Sequence, residues 1–171
     1  MSVTIRPMSD EDAPDVVAMV QGLARDTATG VIPKLTPEGL VGNRDLIDVT
    51  IAEDAEGMLG ACLTLLTYST WRDARGLYVV DLFIDGRARN RGIGLRLLRE
   101  AARRGRAKGA RFIKLEVYHT NDGAARFYER LGFGRHDEDR LFILEEDKVT
   151  AFVDMDEQVH PSPRRKSGPI E

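Results

Sequence analysis

Leu82-Phe83-Ile84-Asp85-Gly86-Arg87-Ala88-Arg89-Asn90-Arg91-Gly92-Ile93-Gly94 decides how this chain is read. The strand-like run Leu77–Ile84 ends in a loop rich in Gly and Arg. Ile93–Lys108 follows, with Gly94, Leu97, Leu98, Ala101, Ala102 and Gly105 on one face at helical spacing. A strand therefore feeds a loop, and the loop opens a helix. The first amides of a helix lack intrahelical acceptors, and the positive end of the dipole lies there. Such a junction binds phosphate through backbone N–H groups without help from side chains. Gly92 and Gly94 let the backbone approach a ligand closely, and Arg87, Arg89 and Arg91 add positive charge at the same place.

Two nucleotide motifs can be set aside. The glycines do not fit G-x-G-x-x-G, and no Lys-Ser or Lys-Thr follows Gly94 as a P-loop requires. The junction reads as a pyrophosphate-type anion site that is neither.

Working outward, Val3–Arg6 alternates as a short strand that Pro7 stops. Ser9 before Asp10, Glu11 and Asp12 is an N-cap with acids at the positive helix end. Val16, Val17, Met19, Val20 and Leu23 give one apolar face through about Arg25. Thr27–Pro37 reads as a loop, then a short helix runs to about Arg44. Strands are expected at Asp48–Ala52, Gly60–Tyr68, Leu77–Ile84, Phe112–Tyr118 and Arg140–Leu144. A short helix is expected at Asp122–Leu131, closed by Gly132. The order β-α-α-β-β-β-α-β-α-β predicts a mixed α/β layer architecture. After about Phe152 the pattern decays. Residues 1–152 are expected to be one domain and 153–171 a flexible tail, with three prolines in its last twelve residues.

Composition bounds the function. A chain of 171 residues with 42% hydrophobic and 31% charged residues is not mainly disordered and can bury a core of its own. No apolar run approaches the roughly 20 residues of a membrane span, and MSVTIRPMSD has no signal pattern. One cysteine, Cys62, excludes an internal disulfide and a cysteine zinc cage. His119, His136 and His160 are too few and scattered for a metal site. A cytoplasmic domain without metal is expected. Net charge is −3, yet Arg87–Lys114 holds eleven Lys or Arg against one acid, Glu100. A nucleic-acid binder is usually basic as a whole, so neither nucleic acid nor membrane is expected as partner. The basic block fits one compact polyanion or, alternatively, a solvated helix face.

Arg89-x-x-Gly92-x-Gly94 after a strand resembles the acyl-CoA loop of the GNAT acetyltransferases, Q/R-x-x-G-x-G/A. Asn121-Asp122-Gly123-Ala124-Ala125-Arg126-Phe127-Tyr128-Glu129-Arg130-Leu131-Gly132-Phe133 is similar to that family's N-x-x-A-x-x-F-Y-x-x-x-G-F. Both blocks stand in the family's order with a strand between them, and the likeness covers about Val3 to Leu144. Thr67–Trp71 and Leu77–Ile84 resemble the spermidine/spermine (diamine) branch, in which the strand before the loop commonly reads L-Y-L-E-D-F-F-V. Ile5-Arg6-Pro7 and Leu23-Ala24 also resemble it.

The resemblance implies a GNAT fold, a mixed and mostly antiparallel sheet of about six to seven strands flanked by about four helices. It implies acetyl-CoA as cofactor, a small-molecule amine as acceptor, polyamine- or amino-acid-like, and a homodimer. It implies that the backbone of Leu82, Phe83 and Ile84 pairs with the pantetheine arm. Arg89, Asn90, Arg91, Gly92, Ile93, Gly94 and Leu95 would cradle the pyrophosphate, and Asn121 and Ala124 would border the cofactor arm. Tyr128 would touch the cofactor and protonate the leaving thiolate; the bland reading is a tyrosine packed beside Phe127.

Val80 stands where the branch usually has Glu, and valine cannot take a proton. Asp81 is the neighbouring substitute, although strand neighbours point to opposite faces unless a bulge turns one of them. Glu116 and His119 are alternatives acting through water, and Asp81 as a purely structural acid is another. Asp26, Trp71, Val80 and Glu116 are the candidate acceptor contacts; Asp26 is also read as a solvated helix-end residue. Cys62 lies mid-strand with no activating His nearby, which favours direct attack over an acyl-cysteine. Two rival readings stand beside the enzyme: a catalytically impaired acyl-CoA-binding module, which Val80 keeps open, and an acetyltransferase acting on proteins or peptides.

Overall fold

The protein is described here from a computed structural model, in residues 2–26, 32–137 and 142–154. It forms two compact units, Met1–Tyr128 and Glu129–Glu171. The first holds strands β1 (Thr4–Pro7), β2 (Ile47–Asp54), β3 (Gly57–Ser69), β4 (Ala74–Ile84) and β5 (Phe112–Leu115). Its helices are α1 (Ala13–Asp26), α2 (Pro37–Gly42) and α3 (Ile93–Ala107), with α4 (Asp122–Arg130) reaching its end. In the second unit a helix, α5 (Glu146–Val153), follows residues 142–145, which have no regular structure.

Local chemistry sets the entry to α1. The Ser9 amide donates to Asp12 Oδ2 at 2.7 Å, which caps the 3-10 turn leading into the helix. Arg6 bridges Asp12 at 2.6 Å and Glu53 at 2.8 Å, tying β1, the turn and β2 together. The Arg6 hydrogen bond, outweighing burial, holds the Asp12 carboxyl well below the usual range. At α2, Thr36 Oγ1 accepts from the Gly39 amide at 3.0 Å and Pro37 occupies the first turn, where its missing N–H costs nothing.

The sheet order is β1-β2-β3-β4-β5. The first four strands are antiparallel and β5 is parallel to β4, joined to it through α3. Met8, Ala13, Val16, Val17, Val20 and Leu40 pack with Val49, Ile51, Ala61 and Leu63 on one face. Each large side chain buried there contributes roughly 1.5–3 kcal/mol relative to exposure. On the other face lies α3. A Cβ at its Gly105 would meet Leu77 Cδ1 at 2.9 Å, so the absent side chain lets helix and strand approach. Asp48 of β2 pairs there with Arg104 and, at 2.6 Å, with Lys108.

The mixed α/β class agrees with the sequence reading, but the strand count is lower. Among the described residues the sheet has five strands rather than six to seven. Phe142, Ile143 and Leu144 of the expected last strand have no regular structure, and residues 138–141 lie outside the described residues. β5 ends at Leu115 rather than Tyr118, because β4 turns away from it there. The helix α5 had no counterpart in the sequence reading. Of the segment read as a flexible tail, residues 155–171 lie outside the described residues, as do residues 27–31 of the loop after α1.

Candidate active site

β4 changes character halfway along. From Gly76↔Phe112 to Val79↔Leu115 it pairs with β5 on one edge and with β3 on the other. The seam is tight, since a Cβ at Gly76 would sit 2.3 Å from Phe112 Cζ. Then Thr64 pairs with Val79 while Leu63 pairs with Asp81, so Val80 is one residue too many. This bulge bends β4 and ends its pairing with β5. Asp81–Ile84 keep β3 on one edge and have no strand on the other among the described residues. A row of backbone N–H and C=O groups faces the opening.

That open edge leads to the phosphate-type junction. Asp85 caps a 3-10 turn over Gly86–Ala88 by accepting from the Arg87 amide at 2.9 Å. Asn90 and Gly92 both have positive φ, 61° and 71°, and Gly92 is the N-cap of α3. Alternating left-handed residues of this kind turn amides toward one point, as in anion-binding nests. The first backbone bond of α3 runs from the Arg96 amide to the Gly92 carbonyl. The amides of Ile93, Gly94 and Leu95 thus precede the helical ladder. A Cβ at Gly94 would lie 3.6 Å from Ile84 Cγ1 and 3.8 Å from Phe127 Cζ. The end of β4, the start of α3 and α4 therefore converge at Gly94.

The arginines divide. Arg87 is held by Glu56 at 3.1 Å, Asp54 at 3.6 Å and Asp85 at 3.7 Å. It braces the β2–β3 turn, which corrects its placement among the phosphate-binding charges. Arg89 Nε donates to the Ile84 carbonyl at 3.3 Å, folding back on the strand end. Arg91 is exposed at the loop tip. Further along α3, Arg103 pairs with Glu100, and Arg104 with Asp48. Much of the basic block is therefore structural.

Inside the opening one group is fully buried, Cys62, and two are half-buried, Asp81 and Tyr128. Cys62, opposite Leu82, is fully buried. Burial, then the charges of Asp81 and Asp48, push its thiol up to about 12. Burial, then Cys62, pushes the Tyr128 phenol up to about 12 as well. Tyr128 packs edge-on against Phe127, ring centroids 5.1 Å apart. Burial raises the Asp81 carboxyl above its usual value. These effects set Asp81 and Tyr128 each within electrostatic reach of Cys62. α4 is fixed nearby by Asn121, whose Oδ1 accepts from the Ala124 amide at 3.1 Å.

Not every candidate contact comes to this place. Val80 is 40% exposed at the bulge. Glu116 follows the end of β5 beside Tyr78. Trp71 is 98% exposed at the tip of the β3–β4 hairpin. The six residue steps from Ala74 to Val80 span about 20 Å at strand rise, so Trp71 is remote from the opening of its own chain. Asp26 closes α1, and its side chain lies outside the described residues. The sequence reading passed over Tyr78 and Lys114, which β4–β5 pairing sets opposite each other. Only that register could have found them, because they are 36 residues apart in the chain.

Comparison with known proteins agrees with this geometry. Residues 40–133 match the model of the acetyltransferase (GNAT) family. A thialysine N-ε-acetyltransferase of Mus musculus is 27% identical over 143 residues, covering 77% of this chain and 84% of that protein. A streptothricin acetyltransferase of Streptomyces lavendulae is 36% identical over 83 residues, 48% of this chain and 42% of that one. Among solved structures, an integron cassette protein from the mobile metagenome of V. cholerae superposes with TM-score 0.73 at 20% identity. It covers 91% of this chain and 99% of that one. The family model spans more than half of the sequence, including the glycine junction, the open strand edge and the Tyr128 helix, and the chain belongs to the GNAT acetyltransferase family.

Proposed function

We propose that the protein transfers an acetyl group from acetyl-CoA to a primary amine of a small molecule by direct attack. The observation that carries this is the open edge of β4, which runs from the bulge at Val80 to the glycine junction at Gly92. An extended polar arm ending in a pyrophosphate fits that combination: a strand edge for the arm and a nest of amides for the phosphates. Leu82, Phe83 and Ile84 would hold the arm through their backbone, Arg89–Leu95 the pyrophosphate, and Asn121 and Ala124 the flank of the arm. The group supplies an acetyl thioester, which exchanges its C–S bond for a C–N bond.

The rest is the work of this chain. An ammonium near pKa 10 is almost wholly protonated at pH 7 and must lose a proton before its nitrogen attacks. Asp81 accepts that proton. Its raised carboxyl makes it a better base at neutral pH than an exposed aspartate, and the bulge removes the strict alternation that would turn it away. Tyr128 donates its phenolic proton to the departing thiolate. Its half-buried hydroxyl, pushed up to about 12, stays protonated well above neutral pH, which suits an acid. Cys62 is held as a neutral thiol, in keeping with direct attack. The homodimer and the cytoplasmic location rest on the sequence resemblance and composition.

The test is a panel of amines assayed with acetyl-CoA by following thiol release. Turnover of a small amine supports the reading. Tight coenzyme A binding without turnover of any amine or peptide would favour an acyl-CoA-binding module instead.

A further inference from the structure

The β3–β4 hairpin ends far from the opening, in a turn built around an exposed aromatic. Trp71 is 98% exposed, Tyr68 60% and Leu66 43%. Four residues join Ser69 to its register partner Ala74. The Arg72 amide donates to the Ser69 carbonyl and to Ser69 Oγ, both at 3.3 Å. Asp73 takes the left-handed conformation, φ 44°, and its carboxylate accepts from the Tyr68 hydroxyl. The Arg72 guanidinium lies over the Phe112 ring, 5.2 Å from its centroid. Trp71 thus projects from a braced turn, and little ordering is left to oppose its burial against a partner.

The same end of the sheet is basic. Tyr68 and Arg75 are register partners and emerge on one face. The Arg75 guanidinium donates to the Lys108 carbonyl at 3.1 Å, and the Arg75 carbonyl accepts from the Arg111 amide at 2.8 Å. The turn that follows α3 therefore lies against the hairpin. Arg72, Arg75, Arg106 and Arg111 come together at this end, all exposed. Among the described residues none of the four is in an ion pair. Asp48 is already balanced by Arg104 and Lys108. Asp73 in the turn and Asp45 beside Leu66 are two acids against these four arginines.

An aromatic tip among cations fits a layered partner, anionic outside and apolar beneath. Single-stranded nucleic acid supplies the charge, but it is held in grooves that track its backbone, and Trp71 stands out from the surface instead. We propose that this end of the molecule docks on an anionic phospholipid surface, with Trp71 and Tyr68 at the level of the headgroups and the arginines on the lipid phosphates. No helix among the described residues is long and apolar enough to cross a membrane, so the contact is peripheral. The chain carries a net charge of −3, so an anionic surface repels the remainder and turns the basic end toward itself. Composition argued against a membrane because it averages over charges that the fold has sorted. The opening, about 20 Å further along β4, stays clear of the lipid.

Trp71 is the one tryptophan of the chain, so its fluorescence reports on this tip alone. Vesicles of equal parts phosphatidylglycerol and phosphatidylcholine should sediment the protein and shift Trp71 emission to the blue. Bromine on their acyl chains should quench that emission. Vesicles of phosphatidylcholine alone should do none of this, and high salt should release the protein. Arg106→Glu combined with Arg111→Glu should weaken binding at least about 25-fold, at about fivefold for each charge removed. Trp71→Ala should weaken sedimentation about tenfold and leave the melting temperature unchanged, so the proposal does not hang on the double variant folding. Failure of the anionic vesicles to sediment the protein overturns the proposal. So does sedimentation with no change in Trp71 emission, which would put the contact on another surface. A blue shift that grows with protein concentration and ignores lipid would assign Trp71 to a second copy of the chain. Quenching by single-stranded RNA without any response to vesicles would assign it to nucleic acid. Either result overturns docking on lipid.

Discussion

The two halves of β4 are one strand under two regimes. Ala74–Val79 runs between β3 and, from Gly76, β5, with Gly76 pressed against the Phe112 ring. Asp81–Ile84 keeps β3 alone among the described residues. In the first half every residue is held by pairing and packing. In the second, backbone polar groups on one edge are left for something else, and partial or full burial pushes the nearby Cys62 thiol, Asp81 carboxyl and Tyr128 phenol up. One inserted residue, Val80, divides them. Local strain and unpaired groups of this sort persist only because the other half over-determines the fold.

The largest expected effect lies where the open half ends. Replacing both Gly92 and Gly94 with Val should abolish coenzyme A binding by calorimetry while circular dichroism keeps its native form. Gly92 has φ 71°, where a side chain costs about 1–2 kcal/mol. Gly94→Ala alone should be tolerated by the fold, because its Cβ would meet Ile84 and Phe127 at ordinary contact distances. Unchanged cofactor affinity in the double variant would move the site elsewhere.

Next comes Tyr128→Phe, which should lower kcat by roughly 10²-fold or more with little change in cofactor affinity. Near-normal turnover would leave Tyr128 as a packing residue beside Phe127.

Asp81→Asn sharpens the contrast because it should act on activity and stability in opposite directions. Turnover should fall at neutral pH and recover in part at high pH, where the free amine is abundant. A pH–rate profile overlaying the wild type would pass the role to Glu116, His119 or solvent. Because burial raises the Asp81 carboxyl, the folded state holds its proton more tightly than the unfolded chain. Its stabilising share is complete below the ordinary aspartate value and is lost as pH rises through the raised one. Asn has no charge to bury, so the variant should melt higher than wild type at pH 7 and lose that advantage in acid. Val80→Glu should be tolerated, as an exposed position at the bulge.

The smallest functional effect should come from the closed half. Gly76→Ala forces the Phe112 ring aside and should cost about 1–3 kcal/mol of stability, read in denaturant melts. Coenzyme A affinity should change less than in the Gly92 and Gly94 double variant. A variant that melts normally would mean the seam is looser than the geometry indicates.

The strand–loop–helix junction and the order of elements were legible because they are local. A strand run, two glycines and a helical apolar face lie within thirty residues of each other, and each leaves its own periodicity. Tyr128 and Asn121 were legible through a motif that spans one short helix. Arg87 was not: its charge reads like that of Arg89 and Arg91, and only the fold brings Asp54 and Glu56 around it. Trp71 failed as an acceptor contact for a related reason, since strand length sets its distance from the opening.

By itself the sequence determined the mixed α/β class, the strand–loop–helix junction at Arg89–Gly94 and the family to which both blocks point. Those depend on backbone propensity and on residues a few positions apart. The tertiary structure decided which edge of β4 stays open, that Val80 is the extra residue, and that Tyr78 and Lys114 stand opposite each other on β4 and β5. Register between strands is set by packing across the whole sheet, so no window of sequence contains it.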